Sequence, residues 1–241
     1  MSNKCGSNII IAINNLNYPI KVLAKNDFNG INTIAKINIE SITNTLNEIE
    51  FQKKIIEIIE RNGQNSGLIQ LSKNILTYFN SINAISTKLI FEYPYIVNQY
   101  FSDKKTSILK NLCRYIVQLD SDGKEERWFE VEIPISLKDV SQNSNCFTDL
   151  LCLPFIVLVK YKSEDLIFVE DIIEIIKNST SDYFVSNSKK SNNDISTNQI
   201  INKISLLNDI KKNLETKYDV SNCIICLKNV NPIFSYSFGI T

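Results

Sequence analysis

The feature that most constrains the fold is a pair of alternating apolar and polar segments on either side of a short turn. The turn is Ser121-Asp122-Gly123, within residues 113–136. Alternation with a period of two is typical of a strand with one buried face. Asp-Gly is a common hairpin turn, because glycine adopts positive φ angles without steric cost. The sequence therefore predicts an antiparallel β-hairpin here.

Other segments share this strand pattern. They are residues 8–13, 18–24, 31–40, 86–98 and 150–162, and two strands around Asn231-Pro232 at the end of the chain. Asn14-Asn15 is predicted as a turn between the first two strands. Pro94 is predicted to interrupt the strand at 86–98, because proline cannot donate a ladder hydrogen bond.

Helical spacing of apolar residues marks four further segments. They are residues 48–61, 66–80, 170–178 and 198–217, with a polar loop over 177–199. The first has Phe51, Ile55, Ile58 and Ile59 on one face, as an amphipathic helix requires. Antiparallel strands combined with helix pairs favour the α+β class. Residues 8–110 and 113–241 each hold strands followed by helices, which suggests two similar halves.

Histidine is absent from all 241 residues, and this limits the chemistry. A Ser-His-Asp triad, a Cys-His pair and every histidine-containing zinc site are thereby excluded. The formal net charge is zero, so neither a nucleic-acid partner nor a membrane partner is expected. No apolar run approaches the length of about 18 residues that a transmembrane helix needs.

Six cysteines are irregularly spaced at Cys5, Cys113, Cys146, Cys152, Cys223 and Cys226. No secretory segment is recognised before them, so reduced thiols and a cytoplasmic location are expected. Cys223 and Cys226 have the spacing of a metal or redox pair, but in a predicted strand they point to opposite faces. They are interpreted as small buried residues. Glu125, Glu126, Glu130 and Glu132 are interpreted as a solvated strand face.

Five segments, in order along the chain, resemble the type IB GTP cyclohydrolases. They are NLNYPIKV at 15–22, LIFEYPYIVNQY at 89–100, VEIPIS at 131–136, FVEDIIEIIKNSTS at 168–181 and LKNVNPIFSYSFGI at 227–240. The resemblance implies a tunnelling fold (T-fold), with antiparallel sheets, helices packed on one face and two similar halves. It implies a single domain over 1–241, built from halves at about 8–110 and 113–241. It also implies a barrel of several subunits with active sites between them.

The same resemblance locates the family's functional positions, and all of them are substituted. The metal-site, purine-binding and proton-transfer positions fall on Asp139, Ser141, Leu151, Asn193, Asn208, Phe234 and Tyr236. The family uses a divalent metal such as zinc or manganese. Leucine and phenylalanine cannot bind a metal, so no cofactor and no catalytic residue are expected here. The loop after residue 136 is therefore interpreted as an active-site loop that has lost its catalytic residues.

Three functions follow from the resemblance. The first is a non-catalytic subunit linked to pterin or folate biosynthesis, which forms a homo-oligomer or a hetero-oligomer with an active paralogue. The second is an enzyme acting on GTP or another purine- or pterin-like small molecule, with Asp139, Cys146, Asn193, Asn208 and Tyr236 as candidate residues. The third is a GTP cyclohydrolase with a rearranged metal site.

Overall fold

The computed structural model describes residues 8–25, 27–44, 48–62, 67–100, 106–135, 155–187 and 195–229. The strands are β1 (Ile9–Ala24), β2 (Asp27–Thr43), β3 (Ser86–Tyr100), β4 (Thr106–Leu119), β5 (Glu125–Ile135), β6 (Phe155–Lys162) and β7 (Ser221–Asn229). The helices are α1 (Glu48–Asn62), α2 (Leu68–Ser81), α3 (Val169–Asn187) and α4 (Ile195–Lys217).

All seven described strands belong to one sheet, and their order in the sheet follows the chain from β1 to β7. The pairs β1–β2, β2–β3 and β6–β7 are antiparallel. The tunnelling fold of two similar halves is therefore wrong, since the described strands form a single sheet. By contacts the chain divides into two compact units, one of Met1–Tyr95 with Leu112–Phe129 and one of Ile96–Asn111 with Glu130–Thr241.

Neither unit coincides with a predicted half, because each takes residues from both sides of the expected boundary near residue 111. The predicted boundary is wrong because single strands contribute residues to both units. β4 and β5 each contribute residues to both units. That residues 1–241 form one domain stays a prediction.

Two predicted breaks in strands are wrong. Asn14-Asn15 is not a turn between strands, because β1 continues through it with a change of register between Ile13 and Leu16. Asn15 has a φ of 59°, and its backbone N–H donates to the Asn38 side-chain oxygen at 2.8 Å. The extra residue is a β-bulge. β3 likewise continues through Pro94.

The hairpin at Ser121-Asp122-Gly123 is confirmed. Gly123 has a φ of 78°, and its N–H donates to the carbonyl of Asp120 at 2.9 Å. The four predicted helices are confirmed at their predicted places. Because α3 extends to Asn187, residues 177–187 are helical and do not form the predicted loop. Of the two strands predicted around Asn231-Pro232, the first is β7, and the second lies outside the described residues.

The core of the first unit joins α1 and α2 to the inner face of its strands. Phe51 and Phe79 meet with ring centroids 5.4 Å apart. On the sheet, Tyr115 stacks between Phe91 at 6.0 Å and Phe129 at 4.7 Å. Aromatic pairs at such distances contribute about 0.5–1.5 kcal/mol beyond the burial of their area. The Phe51–Phe79 pair thus joins the two helices, and the Tyr115 stack joins β3, β4 and β5.

The second unit has its own core, in which α4 contacts both α3 and β7. Its buried residues include Val157, Val159, Tyr161, Ile172, Ile176, Ile210 and Leu214. Between the helices, the Asn213 side chain donates to the Ser179 hydroxyl at 3.1 Å. None of the four described helices has the length and hydropathy needed to span a bilayer.

Two glycines provide a matched test of the first unit. Gly30→Ala and Gly123→Ala both place alanine at positive φ, which costs roughly 1–2 kcal/mol. Only at position 30 would the new Cβ lie 2.7 Å from the Val22 carbonyl oxygen, whereas at position 123 nothing lies within 4 Å. In urea unfolding we expect Gly30→Ala to lose about 1 kcal/mol more than Gly123→Ala. Equal losses would contradict the close approach of β1 and β2.

Candidate functional site

Most of the predicted site residues lie outside the described part of the chain. These are Asp139, Ser141, Cys146, Leu151, Asn193, Phe234 and Tyr236. Asn208 is described, and its side chain is exposed on α4. The structure thus brings none of these residues together within the described ranges, and their roles stay predictions.

Within the described residues, no cluster of three or more histidine, cysteine, aspartate or glutamate side chains could hold a metal ion. Cys223 and Cys226 both lie in β7, on opposite faces as predicted. Cys223 is buried, but Cys226 is partly exposed, so the prediction that both are buried is wrong for Cys226. Burial raises the pKa of the Cys223 thiol to about 11, and Glu215 adds to the effect. The thiol is therefore protonated at neutral pH and is a poor nucleophile.

Glu125 is exposed as the sequence predicts, but Glu130 and Glu132 are not part of a solvated face. The Glu130 carboxylate pairs with the Lys160 ammonium at 2.7 Å, and Glu132 pairs with Lys228 at 2.6 Å. Both glutamate side chains are only 14% exposed. The sequence of β5 alone could not predict these pairs, because the lysines lie on β6 and β7. These carboxylates are satisfied by salt bridges, which gives them a structural role.

The described feature with the clearest capacity to bind a partner is the outer edge of β1. β1 lies at one end of the strand order, so its described neighbour in the sheet is β2 alone. Residues 9–13 read Ile-Ile-Ile-Ala-Ile, with no charge and no proline. Ile10 is 67% exposed and Ile9 is 40% exposed. We call residues 9–13 the apolar edge segment.

The direction of the backbone groups in this segment follows from β2. The carbonyl of Ile42 accepts a hydrogen bond from Ile85, which precedes β3, at 2.7 Å. Because successive strand residues bond alternately to either side, even-numbered β2 residues face β3 and odd-numbered ones face β1. Ile10 pairs with Ile42, and Ala12 pairs with Glu40. The backbone N–H and C=O groups of Ile10 and Ala12 therefore face the open edge.

Pro19 gives an independent check of this assignment. It lies opposite Ile34, an even-numbered β2 residue, so its backbone nitrogen also faces the open edge. Proline has no N–H to donate, and in sheets it is confined to such outward positions on edge strands. The register of β1 and the missing N–H of Pro19 therefore assign the same side of β1 to the open edge.

The two parts of β1 differ in how their edge is protected. After the bulge, the outward positions include Pro19, which lacks an N–H, and Lys21, which is charged. Proline and lysine are the residues with which natural edge strands prevent unwanted pairing. The apolar edge segment has neither. Among the described strands, it is thus an edge whose hydrogen-bonding groups and apolar surface are available to another strand.

Sequence reasoning missed this site, although its signal was present. The run of isoleucines was assigned to a strand from its local pattern. The local pattern does not show which strands lie beside this one in the sheet. That depends on its pairing with β2, more than twenty residues further along the chain. An uncharged apolar strand becomes a candidate interface only once it is known to lie at a sheet edge.

No family model matches the chain, and no curated protein sequence matches it. The solved structures that match include a hyper-thermostable AgUricase mutant, with a TM-score of 0.48, 7% identity and coverage of 95% of this chain and 97% of that one. They also include urate oxidase from Bacillus sp. TB-90, with a TM-score of 0.41, 8% identity and coverage of 72% and 75%. At this level of similarity, the likeness carries no function over to this chain.

The resemblance to type IB GTP cyclohydrolases is wrong. No family model matches the chain, and the described strands form one sheet where the resemblance implied two similar halves. The predicted pseudoenzyme of pterin or folate biosynthesis is therefore also wrong, as are the enzyme alternatives on GTP. The hetero-oligomer with an active paralogue stays a prediction. Short segments such as YPIKV and VEIPIS are ordinary strand sequences, which explains how they resembled the family without belonging to it.

The buried thiol of Cys223 predicts a specific pH dependence. The pKa of the Cys223 thiol is about 11 in the fold, against a reference value of 9.0. Because the fold favours the protonated thiol, Cys223 contributes its full share to the unfolding free energy below pH 9 and loses it as the pH rises toward 11. We expect the unfolding free energy of the native chain to fall more steeply over that range than that of Cys223→Ala. Parallel pH curves from urea unfolding would show that the thiol is accessible in the fold.

Proposed function

We propose that this chain is a self-associating subunit, which binds a second copy of itself through the apolar edge segment of β1. The observation that carries the proposal is the segment Ile9–Ile13, an uncharged apolar strand edge with outward N–H and C=O groups. A strand that joins such an edge satisfies the backbone groups and covers apolar side chains in one step.

The second copy is the partner that the chemistry of the segment favours. Charged partners gain nothing from it, since the only charge in β1 is Lys21, beyond the bulge. A second copy offers the same uncharged segment, so neither strand buries a charge when the two pair. The absence of proline and charge from residues 9–13 is then explained as a requirement of pairing, because protective residues would prevent it.

Two isoleucine substitutions separate an edge interface from a face interface. Ile10→Lys places a charge on the edge strand β1. Ile34→Lys places a charge on the exposed face of β2, which lies between β1 and β3. Both isoleucines are strongly exposed, at 67% and 63%, so neither change disturbs the core. We expect Ile10→Lys to weaken self-association at least about tenfold, equivalent to ~1.4 kcal/mol. Ile34→Lys leaves it unchanged.

Sedimentation velocity over a wide range of protein concentration measures both variants against the native chain. Circular dichroism of each variant checks that the strands and helices are retained. A native chain that sediments as a monomer at every concentration would overturn the proposal. Equal weakening by both substitutions would show that the exposed sheet face, and not its edge, carries the contact.

A further inference from the structure

The hydrogen-bonding pattern of β1 also determines how two copies can pair. Resting on the proposed self-association, we infer that the two apolar edge segments pair antiparallel about a two-fold axis at Ile11. Ile10 of each copy then lies opposite Ala12 of the other. The inference concerns register and symmetry, which self-association alone does not specify.

Backbone direction restricts the registers to a short set. Two antiparallel strands exchange hydrogen bonds only between residues whose N–H and C=O groups both point toward the partner. In the apolar edge segment these residues are Ile10 and Ala12, since Ile9, Ile11 and Ile13 pair with odd-numbered β2 residues and bond inward. A symmetric pair can therefore be centred on Ile10, Ile11 or Ala12.

The bulge and the apolar pattern distinguish these three registers. Centring on Ala12 brings Ile10 opposite Asn14 of the second copy, next to the bulge where Asn15 has a φ of 59° and the strand path is interrupted. Centring on Ile10 brings Ala12 opposite the polar Asn8. Centring on Ile11 places all five residues of the segment opposite the same five residues. That register alone pairs every apolar residue with another.

Side-chain size favours the same register. Ile10 and Ala12 share the outer face of the sheet, where both are exposed. With Ile11 on the axis, each exposed Ile10 side chain lies across from the small Ala12 side chain of the other copy. Directly opposed side chains are the unit of sheet stabilisation, and a large residue packs readily beside a small one. An isologous contact of this kind is complete with two copies.

Engineered disulfides measure the register directly. Two differently tagged full-length chains are co-expressed, one with Ile10→Cys and one with Ala12→Cys, each with Cys5→Ser to simplify the peptides. Opposed residues in a hydrogen-bonded pair have Cα atoms about 5.5 Å apart, within the range of a disulfide. Position 10 lies roughly 8–9 Å from its own counterpart in this register, which is too far to bridge.

We expect a disulfide between positions 10 and 12 in the co-expressed pair, identified by mass spectrometry after oxidation, and none within either variant alone. A 10-to-10 or 12-to-12 disulfide would overturn the register. Chains that sediment as dimers but form none of these disulfides would overturn pairing at this segment. Both results leave self-association intact. A native chain that is monomeric by sedimentation would overturn the proposed function itself and, with it, this inference.

Discussion

The N–H and C=O of each β2 residue point to the same side of the strand, and successive residues alternate between β1 and β3, which organises the first unit. Odd-numbered residues bond to β1 and even-numbered residues to β3, as the Ile42–Ile85 hydrogen bond shows. The same alternation sends Ile37 and Ile39 into the core while Ile34 remains 63% exposed. Backbone and side chains thus follow one rule with a period of two. The core and the open edge are consequences of the same geometry.

The two parts of β1, before and after the bulge, differ in whether their outward positions hold residues that prevent pairing. Beyond the bulge, Ile20 and Val22 are buried against the rest of the first unit, while Pro19 and Lys21 keep the edge from pairing. Before the bulge, Ile11 is buried in the same way, but the outward positions lack any protective residue. An unprotected apolar edge is a liability for a monomer, and natural sequences remove it unless it is covered. In the proposed self-association, the same edge becomes the contact.

The sequence predicted local features well and pairing features poorly. Asp122-Gly123 specified its hairpin, because the turn requires a positive φ that glycine supplies. The stripe of Phe51, Ile55 and Ile59 specified α1 and its buried face. The salt bridges of Glu130 and Glu132 were not predictable, because their lysines lie on β6 and β7. The edge position of β1 was equally hidden, since it depends on the arrangement of all the described strands.

The bulge at Asn14-Asn15 also changes which residues of β1 face inward. Before it, the inward residues are odd-numbered, such as Ile11, and after it they are even-numbered, such as Ile20 and Val22. This phase shift is why the pattern resembled two strands with a turn. It also gives the chain a boundary: a copy that adds to the first part of β1 meets a kink and cannot extend along all sixteen residues. In the proposed dimer, one inserted asparagine thereby sets the length of the paired segment.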